Sequence, residues 1–151
     1  MNLKASFNNC LLAFVTMNLL QSYFSPILQD EALYWNFAQH LDWGYFDHPP
    51  MVALLVKIGG LLFSKTLGVR LMTVLLMGVL VKIIWNFIPL HQRKNKHAPL
   101  LYFGILFSIP ACNVYSFVTT PDLPLLFFSG LYLWAFLKFT KKNNARHLLF
   151  L

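Results

Sequence analysis

The chain has 151 residues, of which 58% are hydrophobic, 17% aromatic and only 11% charged, whereas a soluble domain carries about 25% charged residues. That excludes a water-soluble globular domain and makes this an integral membrane protein. The formal net charge of +7 does not mark a nucleic-acid binder, because the basic residues flank apolar runs instead of forming one stripe, as membrane proteins arrange them.

A membrane-crossing helix needs about 20 mostly apolar residues. The first candidate is 10–28, interrupted by the polar Asn18 and Gln21. Phe7-Asn8-Asn9 before Cys10 lacks the small residues of a lipoprotein site, and no signal-peptidase site follows, so this run reads as a retained anchor. Cys10 and Cys112 both lie in apolar surroundings and say little about redox compartment.

An outer segment over 29–66 follows. It holds Asp30, Glu31, Asp42 and Asp47, four of the five acidic residues in the chain. Ionisable groups are costly in a membrane protein and are functional candidates by default. Asp30 to Leu41 reads as a short interfacial helix, with Leu33, Phe37 and Leu41 recurring along one face and Tyr34 and Trp35 at the headgroup level. Asp30 is either an N-cap or a carboxylate held at the membrane surface for chemistry. In Asp42-Trp43-Gly44-Tyr45-Phe46-Asp47-His48-Pro49-Pro50, Gly44 suits a turn, the residue before a proline is pushed to extended backbone, and a proline can open the next helix. Trp43, Tyr45 and Phe46 are expected as interface anchors. Asp47 and His48 are either turn caps or ligand-facing groups. His48 suits an anionic phosphate when protonated, and the spacing of His40, Asp42, Asp47 and His48 matches no strong metal motif. Met51 to Phe63 is apolar but short and carries Lys57, so it is expected to lie on the membrane.

The next span is 67–90, with Arg70 and Lys82 near its ends. Arg70 can snorkel, pair with a carboxylate, or grip a phosphate through bidentate bonds; Lys57 is a weaker candidate for that job. A basic connector, His91-Gln92-Arg93-Lys94-Asn95-Lys96-His97, precedes a third span over 100–118. Thr119-Thr120-Pro121-Asp122-Leu123-Pro124 breaks it, and Asp122 reads as a cap or as a second carboxylate for the same site. A fourth span, 123–139, leads to a second basic stretch from Lys141 to His147. The two basic connectors are separated by two spans, so they share the cytoplasmic side and the acidic segments face outward. Leu148 to Leu151 looks like the opening of a fifth span, so the sequence is expected to be truncated.

These motifs, taken together, resemble one family. Asp30-Glu31-Ala32-Leu33-Tyr34-Trp35, Leu41 through Met51, Gly68-Val69-Arg70-Leu71 and Thr120 through Leu125 are similar to the amino-terminal part of the polyprenyl- and dolichyl-phosphate-sugar glycosyltransferases. These include protein O-mannosyltransferases and the bacterial aminoarabinose and related lipid A transferases, glycosyltransferase families 39 and 83. The Asp-His-Pro-Pro version looks bacterial, which places the chain in an inner membrane. The resemblance implies an all-α GT-C fold with four spans and juxtamembrane helices on the outer face. It implies a polyprenyl-phosphate-linked sugar donor, a protein, lipid or glycan acceptor, the bilayer as a partner, and no nucleic acid. Asp30, Glu31 and Asp122 match its catalytic carboxylates, and Asp47, His48 and Arg70 its substrate-binding positions. A divalent cation is compatible with this chemistry but not required by it, and inversion at the sugar is the usual outcome. Full members carry many more spans, so this chain alone is expected to lack a complete site. The alternative is a non-catalytic membrane subunit or a degenerate remnant of such an enzyme.

Overall fold

A computed structural model describes residues 3–142, and every regular element in them is a helix. They are α1 (Leu3–Phe24), α2 (Gln29–Gln39), α3 (Pro50–Leu62), α4 (Lys65–Trp85), α5 (Leu90–Arg93), α6 (Ala98–Ser108), α7 (Pro110–Tyr115) and α8 (Asp122–Lys142). The second basic stretch from 143 onward and Leu148 to Leu151 lie outside the described residues.

The burial pattern is that of a membrane protein. Asn18, Ser22, Glu31, Arg70, Thr73 and Thr119 are buried, while Leu12, Leu20, Phe24, Leu100 and Leu125 are exposed. In lipid, apolar side chains lose nothing by facing outward, whereas polar groups must find partners inside the protein. Asn18 Nδ2 accordingly donates to the Phe14 carbonyl at 2.8 Å, and Ser22 Oγ to the Asn18 carbonyl at 2.7 Å.

The short helix expected from Asp30 to Leu41 is α2, Gln29–Gln39. Its buried residues are Glu31, Tyr34 and Ala38, while Leu33 and Leu41 are exposed. The leucines follow a helical stripe, but in this setting the stripe faces away from the protein.

Two helices are long and apolar enough to cross a membrane, Lys65–Trp85 and Asp122–Thr140. A third crossing arises if Ser6–Phe24 and Gln29–Gln39 count as one, although they bend by 88° at their junction. The expected continuous helix over 100–118 is instead two pieces, α6 and α7. Pro110 supplies no N–H to the helix and holds Ile109 extended (φ −98°, ψ 108°), which stops α6 one residue earlier. Pro50, by contrast, opens α3 at its first position, as its fixed φ allows.

The bundle has an aromatic end and a polar end. Phe7 stacks on Trp85 with ring centroids 4.7 Å apart, and Tyr102 and Phe103 of α6 pack beside them. At the other end, α3 folds back on α4 through two glycines. A Cβ on Gly59 would run into the Gly68 carbonyl oxygen, and one on Gly68 into that of Phe63. This close approach carries α4, with Arg70, underneath α2.

Candidate active site

The site begins where α1 ends. Ser25-Pro26 breaks the chain between α1 and α2, which leaves the last carbonyls of α1 without helical partners. Arg70, only 1% exposed, fills that need. Its NH2 donates to the Pro26 carbonyl at 2.8 Å, and its NH1 lies 3.3 Å from the Ser25 carbonyl and 3.4 Å from that of Ser22. A cation at a helix carboxyl end also complements the macrodipole.

The other edge of the guanidinium holds Glu31, which is 0% exposed. Arg70 Nε donates to Glu31 Oε1 at 2.7 Å and Arg70 NH2 to Oε2 at 2.5 Å, a bidentate fork. Oε2 also accepts the Leu28 N–H at 3.0 Å, so Glu31 reaches back to the N-cap of its own helix. Oε1 accepts the Thr119 N–H at 3.0 Å, from the segment between α7 and α8. Thr119 Oγ1 donates to the Val69 carbonyl at 3.0 Å and lies 2.7 Å from Thr73 Oγ1. The Phe117 ring centroid sits 5.4 Å from the Arg70 guanidinium carbon. One buried knot therefore joins α1, α2, α4 and the loop leading to α8.

Around this knot the remaining candidates separate. Asp30 is the second residue of α2 and exposed; Leu28, not Asp30, holds the N-cap position, and Glu31 serves its amide. Asp122 is the first residue of α8 and exposed. Neither aspartate side chain has a hydrogen bond or ion pair to another of the described residues. The Glu31–Thr119 bond is next to one of them and three residues before the other, so it fixes both helix starts to a common support.

Tyr34 marks the centre of the arrangement. Its ring is 3% exposed and meets His48 edge-on at 5.2 Å. Burial raises the Tyr34 pKa, and the charges of Asp30, Asp122, Asp47 and Glu31 push it the same way. The phenol therefore stays neutral and able to donate at neutral pH. His48 Nδ1 lies 2.5 Å from Asp47 Oδ1, with the histidine side chain 20% exposed and the aspartate 61%.

Tyr45 corrects another expectation. Its ring stacks on Phe37 at 4.0 Å, and its hydroxyl lies 3.0 Å from the Phe37 carbonyl and 3.1 Å from that of His40. It closes the end of α2 instead of anchoring at the surface. Trp43 and Phe46 are fully exposed beside it. Among the described residues, no group of three or more histidine, cysteine or acidic side chains is placed to hold a metal ion.

Sequence reasoning passed over Thr73, Thr119 and Ser22, and it placed Tyr34 at the surface. The threonines carried a signal, since hydroxyls in or beside an apolar span need internal partners. Thr120 belongs with them: its Oγ1 is buried without a partner beside the Asp122 turn.

A helical membrane protein with an acidic face braced by a buried ion pair fits the class of membrane glycosyltransferases that use the GT-C fold. Residues 47–151 match the family of dolichyl-phosphate-mannose-protein mannosyltransferases, and the chain belongs to that family. The match includes Asp47, His48, Arg70 and Asp122, while Asp30 and Glu31 precede it. The chain is also 26% identical over 119 residues to a lipid A galacturonosyltransferase, RgtD, of Rhizobium johnstonii. That alignment covers 77% of this chain and 24% of the relative, so the chain spans about a quarter of that protein's length. No solved structure matches.

Proposed function

We propose that this chain forms the acidic outer face of a membrane enzyme that moves a sugar from a polyprenyl-phosphate donor to an acceptor hydroxyl. The observation that carries this reading is the Glu31–Thr119 hydrogen bond, which ties together the two helix starts on which the exposed Asp30 and Asp122 stand. In the transfer, the acceptor oxygen bonds to the anomeric carbon, the bond from that carbon to the phosphate oxygen breaks, and the lipid phosphate leaves. Asp30 takes the proton of the attacking hydroxyl as general base, and Asp122 orients the sugar or acceptor from the facing helix. His48, held by Asp47, stabilises the leaving phosphate as it gains charge. Glu31 and Arg70 brace these groups, since their hydrogen-bonding capacity is turned inward.

In this reading α1, α4, the broken α6–α7 pair and α8 make four crossings, with α2 and α3 juxtamembrane. The carboxylates face the periplasmic side of a bacterial inner membrane, and the His91 to His97 connector faces the cytoplasm. The relative's acceptor, lipid A, is the first acceptor to assay.

The test compares neighbours. Sugar transfer by membranes carrying the protein expressed from its native locus is expected to vanish in Asp30→Asn with insertion and thermal stability unchanged. Glu31→Gln is expected to lower both stability and transfer. Transfer at the wild-type rate in Asp30→Asn removes that residue from the mechanism. For orientation, single cysteines at Asn36 and Asn95, in a background lacking Cys10 and Cys112, are expected to differ in labelling by an impermeant thiol reagent; equal labelling overturns the topology.

A further inference from the structure

The end of the bundle opposite the carboxylates holds a cavity of about 500 Å³ that the transfer chemistry does not use. The Phe7–Trp85 stack forms its aromatic wall, and Lys82, Arg93 and Lys94 line it together with Leu90. The five carboxylates of the chain, Asp30, Glu31, Asp42, Asp47 and Asp122, contribute nothing to its lining. Three cations thus line one largely apolar space, with no carboxylate among its described lining residues.

Arg93 shows what the space is shaped to take. Its NH1 donates to Asn86 Oδ1 at 2.9 Å, which fixes the guanidinium. Its Nε–H is buried with no acceptor. A buried donor without a partner is uncommon and requires explanation. That nitrogen is closed to a ligand as well as to water, so a phosphate oxygen would meet the outer edge of the guanidinium, whose planar geometry suits it better than an ammonium does. Leu90 is 68% exposed at the rim, where an acyl chain would run along the apolar helices. Basic pockets between membrane helices recognise anionic lipid headgroups in this way.

We propose that this cavity binds the phosphodiester headgroup of an anionic glycerophospholipid from the leaflet on that face. The outer edge of the Arg93 guanidinium donates to a phosphate oxygen, and Lys82 and Lys94, which also line the cavity, add charge.

The test uses the purified chain in nanodiscs of mixed phosphatidylglycerol and phosphatidylcholine, followed by mass spectrometry of retained lipid. Wild type is expected to retain phosphatidylglycerol over phosphatidylcholine by about tenfold or more, from two or three basic contacts. Arg93→Gln/Lys94→Gln is expected to bring the ratio close to one, with helicity by circular dichroism unchanged. Lys57→Gln/Lys65→Gln removes the same charge elsewhere and is expected to keep the preference. If Arg93→Gln/Lys94→Gln does not fold, Lys82→Gln takes its place, with a smaller loss expected. No preference in wild type, or equal losses in the two double variants, overturns the proposal. Displacement of the retained lipid by millimolar inorganic phosphate also overturns it and reassigns the cavity to a soluble anion.

Discussion

Arg70 and Glu31, 39 residues apart, meet in a buried fork in which Nε reaches Oε1 at 2.7 Å and NH2 reaches Oε2 at 2.5 Å. Each partner also neutralises a helix terminus, Arg70 at the end of α1 and Glu31 at the start of α2. The sharp bend between those helices is therefore held by charge and hydrogen bonds together. The strength of such a pair lies in its completeness, because removing one side leaves the other charge buried and unmatched.

Arg70→Met is therefore expected to cost about 3–5 kcal/mol, the range for stranding a buried charge. Arg70→Lys should recover little, because an ammonium cannot reproduce the planar fork. The double variant Glu31→Gln/Arg70→Met should lose less than the sum of its single changes. Thermal unfolding in detergent reads all three, and strictly additive losses would refute the coupling.

The threonine pair makes a smaller and separable contribution. Thr73→Val and Thr119→Val are each expected to cost about 1–2 kcal/mol, since each strands a buried hydroxyl or carbonyl partner. The double variant removes both hydroxyls at once, so its loss should fall below the sum. A chemical-denaturation series on the four proteins measures this.

Gly68→Ala tests the approach of α3 to α4. The new methyl group meets the Phe63 backbone carbonyl, and backbone gives way less readily than a side chain. A loss of about 1–3 kcal/mol is expected, typical of overpacking. Gly104→Ala is the control, because nothing lies within 4 Å of the added carbon. Equal stability of the two variants would contradict the packing described.

Tyr34 sets a dependence on alkaline pH. Its folded-state pKa is raised, first by burial and then by Asp30, Asp122, Asp47 and Glu31. An unfolded phenol ionises near about 10. Above that pH the unfolded chain loses its proton while the folded chain keeps it, so stability falls as pH rises toward the folded pKa. Below pH 10 the residue contributes no pH dependence. Tyr34→Phe should flatten the alkaline limb of a melting-temperature profile taken from pH 8 to 11; identical wild-type and variant limbs would rule this out.

Much of this architecture was legible in sequence because lipid leaves few choices. Apolar run length located α4 and α8, and the Pro49-Pro50 pair marked the start of α3 without saying which proline opens it, which is Pro50. The grouping of Asp30, Glu31, Asp42 and Asp47 in one polar segment was visible from their positions, whereas the link from that segment to the turn before Asp122, through Glu31 and Thr119, was not. What sequence did not reveal depended on partners far along the chain. Arg70 had three open readings until Ser22, Pro26 and Glu31 closed around it. The stripe of Leu33 and Leu41 did not reveal that Glu31 and Tyr34 form the buried side of α2, because helical periodicity finds an apolar face without saying whether protein or lipid lies against it. Pro110 could have ended or merely kinked a span, and only the extended Ile109 distinguishes these.

The Glu31–Thr119 bond also imposes an order on biogenesis. Residues 22 to 31 leave the ribosome first, Arg70 second and Thr119 much later, 88 positions after Glu31. A nascent chain inserted only as far as α4 can form the ion pair, but its carboxylate still lacks the amide that completes it. Only when the segment before α8 has been made does Thr119 supply that last donor. A chain stalled earlier would keep a buried carboxylate one hydrogen-bond donor short.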